Sequence, residues 1–361
     1  MRFLWIVVGA MLAAVAAEGV LRLLPVSMPL QRTSNVERWP LQNTEPHTPY
    51  SYSLGWSMRN AHRGVTNNYG HVAPFDFRAH SHPVVVVGDS FVEALMNDYG
   101  DTLQAALGRR IGAPQGVYGL GVSGLSASDY VAMARLARDE FEPRAAVVVV
   151  VDGDLSESLI ARRGSHHLVE ESGHLRLAYD PVRVDSLATR VRKAIGDVSL
   201  HRYFQVNLQF APENLLTMRA HPDAVAHQAA SPLDTARQRR VVDWFLDELA
   251  RGFGIAPSCV ALLLDSDRYA IYGPELATPR KDAPDARRYL IEEASRRGYR
   301  VRDLDPVFRE RFARDHIRFD HYPIDRHWNG VGHRVAADEA YRLLFGEDTG
   351  GRSACAAPGG A

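Results

Sequence analysis

The stretch that most restricts this chain is Val84-Val85-Val86-Val87-Gly88-Asp89-Ser90. Four consecutive β-branched residues suit a strand with no wet side, because a strand with one solvated face would alternate apolar and polar positions. A sheet dry on both faces needs helices above and below it, and parallel strands joined by helical crossovers supply them. Three more runs repeat the pattern at Val117 to Leu120, Ala145 to Val151 and Val260 to Leu264. Helical segments alternate with them: one after Ser90, then about Ser126 to Arg138, Thr235 to Arg251 and Asp285 to Arg297. In the third, Val241, Val242, Phe245 and Leu249 recur at helical spacing, as core packing requires. The pattern predicts an α/β chain with an open parallel sheet covered on both faces.

Residues 3 to 17 form an uncharged apolar run directly after Arg2 that nothing later in the chain resembles. Two readings fit it. One is a secretory signal peptide cleaved near Ala14-Val15-Ala16; the other is an uncleaved anchor within residues 1–26, extended through Val20, Leu21, Leu23 and Leu24. Either one exports the rest of the chain. The anchor is preferred because apolar character continues past the cleavage position and a span needs roughly 20 residues. Glu18 and Arg22 then stand one helical turn apart, placed to pair at the outer membrane boundary, and Pro25 ends the helix. The next residues, 27–80, are rich in Pro, Asn, His and Ser with little periodicity, which reads as a linker and an irregular cover. The main domain then covers 81–345. An insertion at about 156–232 interrupts its rhythm, with a hairpin expected where Leu168 to Glu170 and Leu175 to Leu177 flank Ser172-Gly173. Polar helical sequence follows through Arg192 and Tyr203, and the Gly-, Ala- and Ser-rich tail 346–361 reads as disordered.

Composition narrows the function classes. With 361 residues at 46% hydrophobic content, the chain can bury a full core. Lys plus Arg total 42 against 43 for Asp plus Glu, so no basic excess points to a nucleic-acid partner. Two cysteines, Cys259 and Cys355, are too few for a disulfide scaffold or a thiolate zinc site and allow one optional bridge.

Gly88-Asp89-Ser90 ends an apolar strand immediately before a helical segment, where α/β proteins expose reactive groups. A serine there has its hydroxyl lifted out of the sheet and its own amide at a helix N-terminus, ready to stabilise an oxyanion. Alternatively, Ser90 merely caps a helix. Near the other end the chain reads Asp325-Arg326-His327-Trp328-Asn329-Gly330-Val331-Gly332-His333, before an apolar helix from about Arg334 to Leu344. His327 can take a serine's proton while Asp325 fixes its tautomer, with Trp328 and Asn329 steadying the loop. The plain alternative makes His327 and His333 helix-end or core histidines. A metal reading would add His316 and His321, but their spacings fit no standard ligand motif.

Together these two ends resemble the SGNH, or GDSL-like, hydrolase superfamily over residues 84 to 345. The resemblance makes Ser90 the nucleophile, and Gly119-Leu120-Gly121-Val122-Ser123-Gly124 the second family block, whose final glycine, Gly124, lends an amide to the oxyanion hole. The third block normally reads Gly-x-Asn-Asp; Asp152-Gly153-Asp154 follows its strand here, so Gly153 occupies the third oxyanion position without the asparagine side chain. Loss of such a donor typically costs on the order of 3 kcal/mol of transition-state stabilisation. Asp325 and His327 are separated by one residue instead of the family's two. Asp-x-His-Trp is similar to the SGNH-like domains of membrane-associated O-acetyltransferases of the alginate-modifying kind, where the pair precedes the serine. Gly55-Trp56, Thr66-Asn67-Asn68-Tyr69-Gly70 and the Glu18/Arg22 pair also look like bacterial membrane-anchored SGNH proteins. The resemblance implies a flavodoxin-like three-layer α/β/α fold behind one N-terminal transmembrane helix. It also implies acyl transfer through an acyl-serine, with amides of Ser90 and Gly124 at the oxyanion and no metal or organic cofactor. The expected substrate is a small-molecule or cell-envelope carbohydrate ester, in the setting of envelope polysaccharide machinery. The domain would lie in the periplasm, or be secreted if residues 1–16 are removed. The contrasting expectation is a catalytically silent SGNH fold that binds glycan or an assembly partner.

Overall fold

The computed structural model describes residues 2–28, 30, 32–34, 42–181, 194–210, 235–277, 281–323, 325–346 and 355. From the N-terminus, helix α1 (Arg2–Leu23) leads into two antiparallel pairs, β1 (Arg32–Ser34) with β2 (Gln42–Thr44), and β3 (Pro49–Leu54) with β4 (Arg59–Val65). The main body follows as β5 (Val84–Gly88), α2 (Ser90–Glu93), α3 (Leu103–Arg110), β6 (Val117–Gly121), α4 (Ala127–Phe141), β7 (Ala145–Val150) and α5 (Asp154–Glu157). The hairpin β8 (His166–Glu171) and β9 (His174–Tyr179), helix α6 (Ser199–Arg202) and a single π turn, Tyr203–Asn207, occupy the stretch read as an insertion. The chain then builds α7 (Thr235–Phe253), β10 (Val260–Leu264), α8 (Arg268–Tyr272), α9 (Pro284–Arg296), β11 (Arg300–Asp303) and α10 (Leu304–Asp315). It closes with β12 (Asp320–His321), β13 (Asp325–Trp328) and α11 (Gly330–Phe345).

Five parallel strands form the central sheet in the order β11-β10-β7-β5-β6. The chain runs from β5 out to the β6 edge, returns to β7 on the other side of β5, and continues to β11. That is the flavodoxin-like order, in which the crossovers on either side of the first strand leave in opposite directions and open a crevice at the strands' carboxyl ends. The valine run divides as a two-residue period demands. Val85 and Val87 join the core under α4, α7 and α9, while Val84 and Val86 join the one under α3, α10 and α11. Every residue of β5, β6, β7 and β10 is buried. The expected three-layer α/β/α architecture is therefore present.

Two departures from the sequence reading have physical causes. Strand β11 was not anticipated because it is an edge strand whose four residues, Arg-Val-Arg-Asp, are all half-buried and show no apolar run. Residues 27–80 are less irregular than expected: β3 and β4 pair, but on an outlying two-stranded ribbon whose residues mostly touch solvent and whose alternating stretch, Tyr50 to Ser53, is short. The hairpin of the insertion forms as expected, with Ser172 and Gly173 both left-handed, as a tight two-residue turn requires. The polar stretch through Arg192 and most of the 346–361 tail lie outside the described residues. Cys355, within that tail, is buried and joined by a disulfide to Cys259, with the Cα atoms 5.5 Å apart.

Helix α1 has 22 residues, about 33 Å at 1.5 Å per residue, and no buried side chain. It is long and apolar enough to cross a membrane, a test that a signal sequence also passes.

Glycine decides how α2 sits. Gly88 and Gly121 are register partners on β5 and β6, and α2 folds back over them. A Cβ on Gly121 would lie 2.2 Å from the Glu93 amide nitrogen, and one on Gly88 would lie 2.6 Å from Val92 Cγ2. The obstruction at Gly121 is backbone, which cannot rotate away. Gly121→Ala is expected to destabilise the protein by about 1–3 kcal/mol, as overpacking does, measured by urea unfolding. A thermally and chemically unchanged variant would show that α2 is not pressed against β6.

Candidate active site

Ser90 is the first residue of α2, directly beyond the carboxyl end of β5 and beside the β5/β7 switch point. Asp89 caps that one-turn helix through a carboxylate that accepts the Phe91 N–H at 3.0 Å. The geometry turns the Ser90 side chain toward a residue 237 positions away: its Oγ lies 2.7 Å from His327 Nε2. The other ring nitrogen, Nδ1, lies 2.5 Å from Asp325 Oδ1, and the same oxygen accepts the His327 amide at 2.9 Å. The three residues singled out in the sequence thus form one continuous hydrogen-bonded line. Of the two readings of Ser90, the helix cap belongs to Asp89.

Asp325 and His327 lie on β13, pinned from several sides. Trp328 is fully buried; its indole N–H donates to Asp265 at 2.8 Å, and its carbonyl accepts from the Asn97 side chain at 2.9 Å. Asn329 accepts the Val331 and Gly332 amides at the start of α11 and donates to the carbonyls of Arg318 and Asp320. Both residues therefore steady the loop. Arg268, buried and paired with Asp265, donates to the Arg326 carbonyl at 2.5 Å. Its guanidinium also lies over the Phe91 ring, which packs 4.8 Å from the His327 ring.

Sequence reasoning missed Tyr52. It stands on β3, in the segment read as a linker, and its hydroxyl donates to the second oxygen of Asp325. Alternating Tyr50-Ser51-Tyr52-Ser53 was the available signal for a strand, but no spacing rule links a residue there to one 273 positions later. Burial, reinforced by the neighbouring carboxylate, drives the Tyr52 phenol well above its ordinary range, so it is a neutral donor.

Burial opposes charge at every group of the line, and neighbours decide the outcome. Burial alone would raise Asp325, yet the His327 charge, the His327 hydrogen bonds and Tyr52 hold its carboxyl well below the usual range. Burial likewise disfavours imidazolium at His327, but Asp325, and more weakly Asp89, lift it above the ordinary value of 6.5. Asp89 itself is pushed up to about 6 by burial, against the Phe91 amide and the His327 charge. His333 differs: it is fully buried on α11, its Nδ1 accepts the Leu103 amide at 3.1 Å, and burial lowers it to about 3. It is a core histidine. His316 ends α10 in a left-handed conformation, and His321 lies 3.2 Å from Asn97 Oδ1. Neither joins His327, and among the described residues no group of three or more His, Cys, Asp or Glu is placed to hold a metal ion.

The amides around Ser90 are not equivalent. Ser123 gives its N–H and hydroxyl to Glu93, leaving the exposed Gly124 next to it. Neither the Gly124 nor the Ser90 N–H meets an acceptor among the described residues. Gly153 departs from the expected arrangement. Its N–H already donates to Asp282 at 2.9 Å, and Lys281 fills the place of a side chain, since a Cβ would lie 2.8 Å from Lys281 Cδ. The reason is the segment before α9: Asp282 is held by the Gly153 and Ser156 amides, and Lys281 pairs with Glu157. The neighbouring Asp154 is fully enclosed, accepting the Val151 amide at 2.8 Å and the Tyr130 hydroxyl at 3.0 Å. Burial raises it well above its usual range.

No protein-family model matches the chain, and no curated protein matches it. Two solved structures that align with it are LAE5, an alpha/beta hydrolase enzyme from the metagenome of Lake Arreo, Spain, and a member of the lipolytic protein G-D-S-L family from Veillonella parvula DSM 2008. The first is 16% identical, over 74% of this chain and 96% of that one, with a TM-score of 0.36. The second is 11% identical, over 73% and 97%, with a TM-score of 0.33. Neither likeness is close enough to bear on the site, which stands on its own strand order and distances.

Two substitutions should move His327 in opposite directions. In Asp325→Asn the burial penalty is left unopposed, so the His327 pKa, followed by NMR titration of the ring, should fall from above 6.5 to below it. Tyr52→Phe should raise it, because the Asp325 charge loses a hydrogen bond that disperses it. The same variant should lose about 1–3 kcal/mol of stability in urea unfolding, the usual cost of an unsatisfied buried acceptor. An unmoved His327 titration in both would rule out the relay.

Proposed function

We propose that this chain is an exported, serine-dependent ester hydrolase or O-acyltransferase of the SGNH type. The observation that carries the reading is the Ser90–His327–Asp325 line, with contacts of 2.7 and 2.5 Å, at the carboxyl edge of a flavodoxin-like sheet. In this mechanism Ser90 Oγ attacks an ester carbonyl carbon while His327 Nε2 takes its proton. Asp325 stabilises the imidazolium, which then protonates the leaving alcohol. The Ser90 and Gly124 amides stabilise the oxyanion. Water, or a sugar hydroxyl, gives its proton to His327 as it attacks the acyl carbon, and His327 returns a proton to Ser90 Oγ as the serine leaves. Water makes the protein an esterase; a sugar makes it an O-acyltransferase.

The substrate we favour is a cell-envelope carbohydrate ester, and the setting is envelope polysaccharide machinery; both rest on the Asp-x-His-Trp resemblance. We place the domain outside the cytoplasmic membrane on a single-pass anchor. Helix α1 supports this placement, as does the Cys259–Cys355 disulfide, a bond that persists in oxidising compartments.

A second reading, a catalytically silent SGNH fold that binds glycan or an assembly partner, is favoured by one observation: the Gly153 amide is spent on Asp282. Full-length protein in mild detergent, offered a fluorophosphonate probe and a p-nitrophenyl ester, separates the two. The enzyme reading expects labelling at Ser90 and a loss of roughly 10³-fold or more in turnover for Ser90→Ala. Absence of label, with hydrolysis equal in both proteins, would leave only the silent reading. Acyl transfer to an added oligosaccharide would mark the transferase.

A further inference from the structure

Several large apolar side chains that the core does not use lie together near the end of α1. Trp56, at the tip of the β3–β4 hairpin, is 73% exposed, and Phe204 and Phe210, on and after the π turn, are 42% and 48% exposed. They form one surface. The Tyr203 hydroxyl donates to the Trp56 carbonyl at 2.9 Å; the Phe204 ring lies 6.1 Å from Tyr203 and 6.0 Å from Phe210. An exposed patch of this kind marks a contact surface.

Its level relative to α1 is set by polar bonds. The Glu18 carboxylate, one turn before the helix ends, accepts the Ser199 amide at 3.1 Å and the Leu200 amide at 2.8 Å, so the inserted region docks on the last turn of α1. Asn207 then ties the π turn to the Ser27 amide at 3.0 Å and to Ser53 of β3. Ser53 in turn donates to the Pro25 carbonyl at 2.6 Å. Helix end, π turn and hairpin are therefore one stitched unit. Exposed Arg22 and Arg59 flank it, the first paired with Glu18 at 2.7 Å.

We infer that Trp56, Phe204 and Phe210 form a seat for the phospholipid headgroup layer of the bilayer that α1 crosses, holding the domain against the membrane. Three arguments select a bilayer over a protein partner. The patch is continuous with the end of the apolar helix, so a bilayer around α1 reaches it without any further encounter. Its residue types suit a membrane–water interface, where a Trp ring with its polar N–H sits at the headgroup level and Phe rings reach the apolar boundary beneath it. Its flanking arginines match lipid phosphates. The consequence for the site is one of distance. Tyr52, bonded to Asp325, is four residues from Trp56, roughly 13 Å of extended chain, so the site is held near the bilayer surface.

Tryptophan fluorescence tests this without using activity. Full-length protein and Trp56→Phe would be reconstituted in phosphatidylcholine–phosphatidylglycerol vesicles, and the difference between their emissions taken as the Trp56 signal. The expected result is loss of that signal when the phosphatidylcholine carries bromines just below its headgroup, together with protection from aqueous iodide. Phe204→Ser combined with Phe210→Ser should weaken both effects while the circular dichroism spectrum stays unchanged. A Trp56 signal that iodide quenches and brominated lipid does not would overturn the inference. Protection from iodide without quenching by brominated lipid would overturn it as well, and would give the patch to a second copy of the chain.

Discussion

The whole arrangement depends on a strand that is dry on both faces. Because Val84 and Val86 pack into one core and Val85 and Val87 into the other, β5 is fixed in register between β6 and β7. Its polar continuation, Gly88-Asp89-Ser90, has nowhere to go except out of the sheet's carboxyl edge. The Gly88–Gly121 pair then lets α2 turn back within contact of β6, which aims Ser90 across the crevice. A rigid apolar scaffold thus places the one hydroxyl on which the proposed chemistry relies.

Opposite it, the fold gathers an unusual density of carboxylates and separates them by environment. Asp325 stays ionised because His327 and Tyr52 surround it with donors, whereas Asp154, more deeply enclosed, with only an amide and a phenol donating to it and the charges of Asp89 and Asp282 nearby, is raised. Asp265 meets Arg268 and the Trp328 indole, and so serves the loop that carries His327 rather than His327 itself. Asp282 collects the Gly153 and Ser156 amides, so the Gly153 N–H is already engaged. Identical residue types take different parts according to what donates to them.

Much of this is legible in the chain alone. Continuous apolar runs mark four of the five sheet strands, because burial on both faces leaves no other composition. Gly-Asp-Ser after a strand and Asp-x-His-Trp before a helix mark Ser90, Asp325 and His327, because the chemistry proposed for them needs such side chains at the edges of regular elements. Strand β11 is hidden by its edge position, and helices α3 and α10 escape notice. Tyr52 is illegible for a different reason: the alternation from Tyr50 to Ser53 can mark a strand, but nothing local says that this outlying ribbon docks against Asp325.

What the sequence alone determined is therefore the local grammar: which runs are buried, where the chain must turn, and which residues are chemically able to act. Burial and turn chemistry are properties of neighbours along the chain, so they can be read from it. What only the tertiary structure decided is who meets whom. It brought Ser90 to His327 across 237 positions and Tyr52 to Asp325 across 273, joined Cys259 to Cys355, and gave the Gly153 amide to Asp282. Those pairings depend on the order of strands in the sheet and on where outlying segments dock. Neither is encoded in any local window, because each is settled by the competition of the whole chain for one core and one crevice.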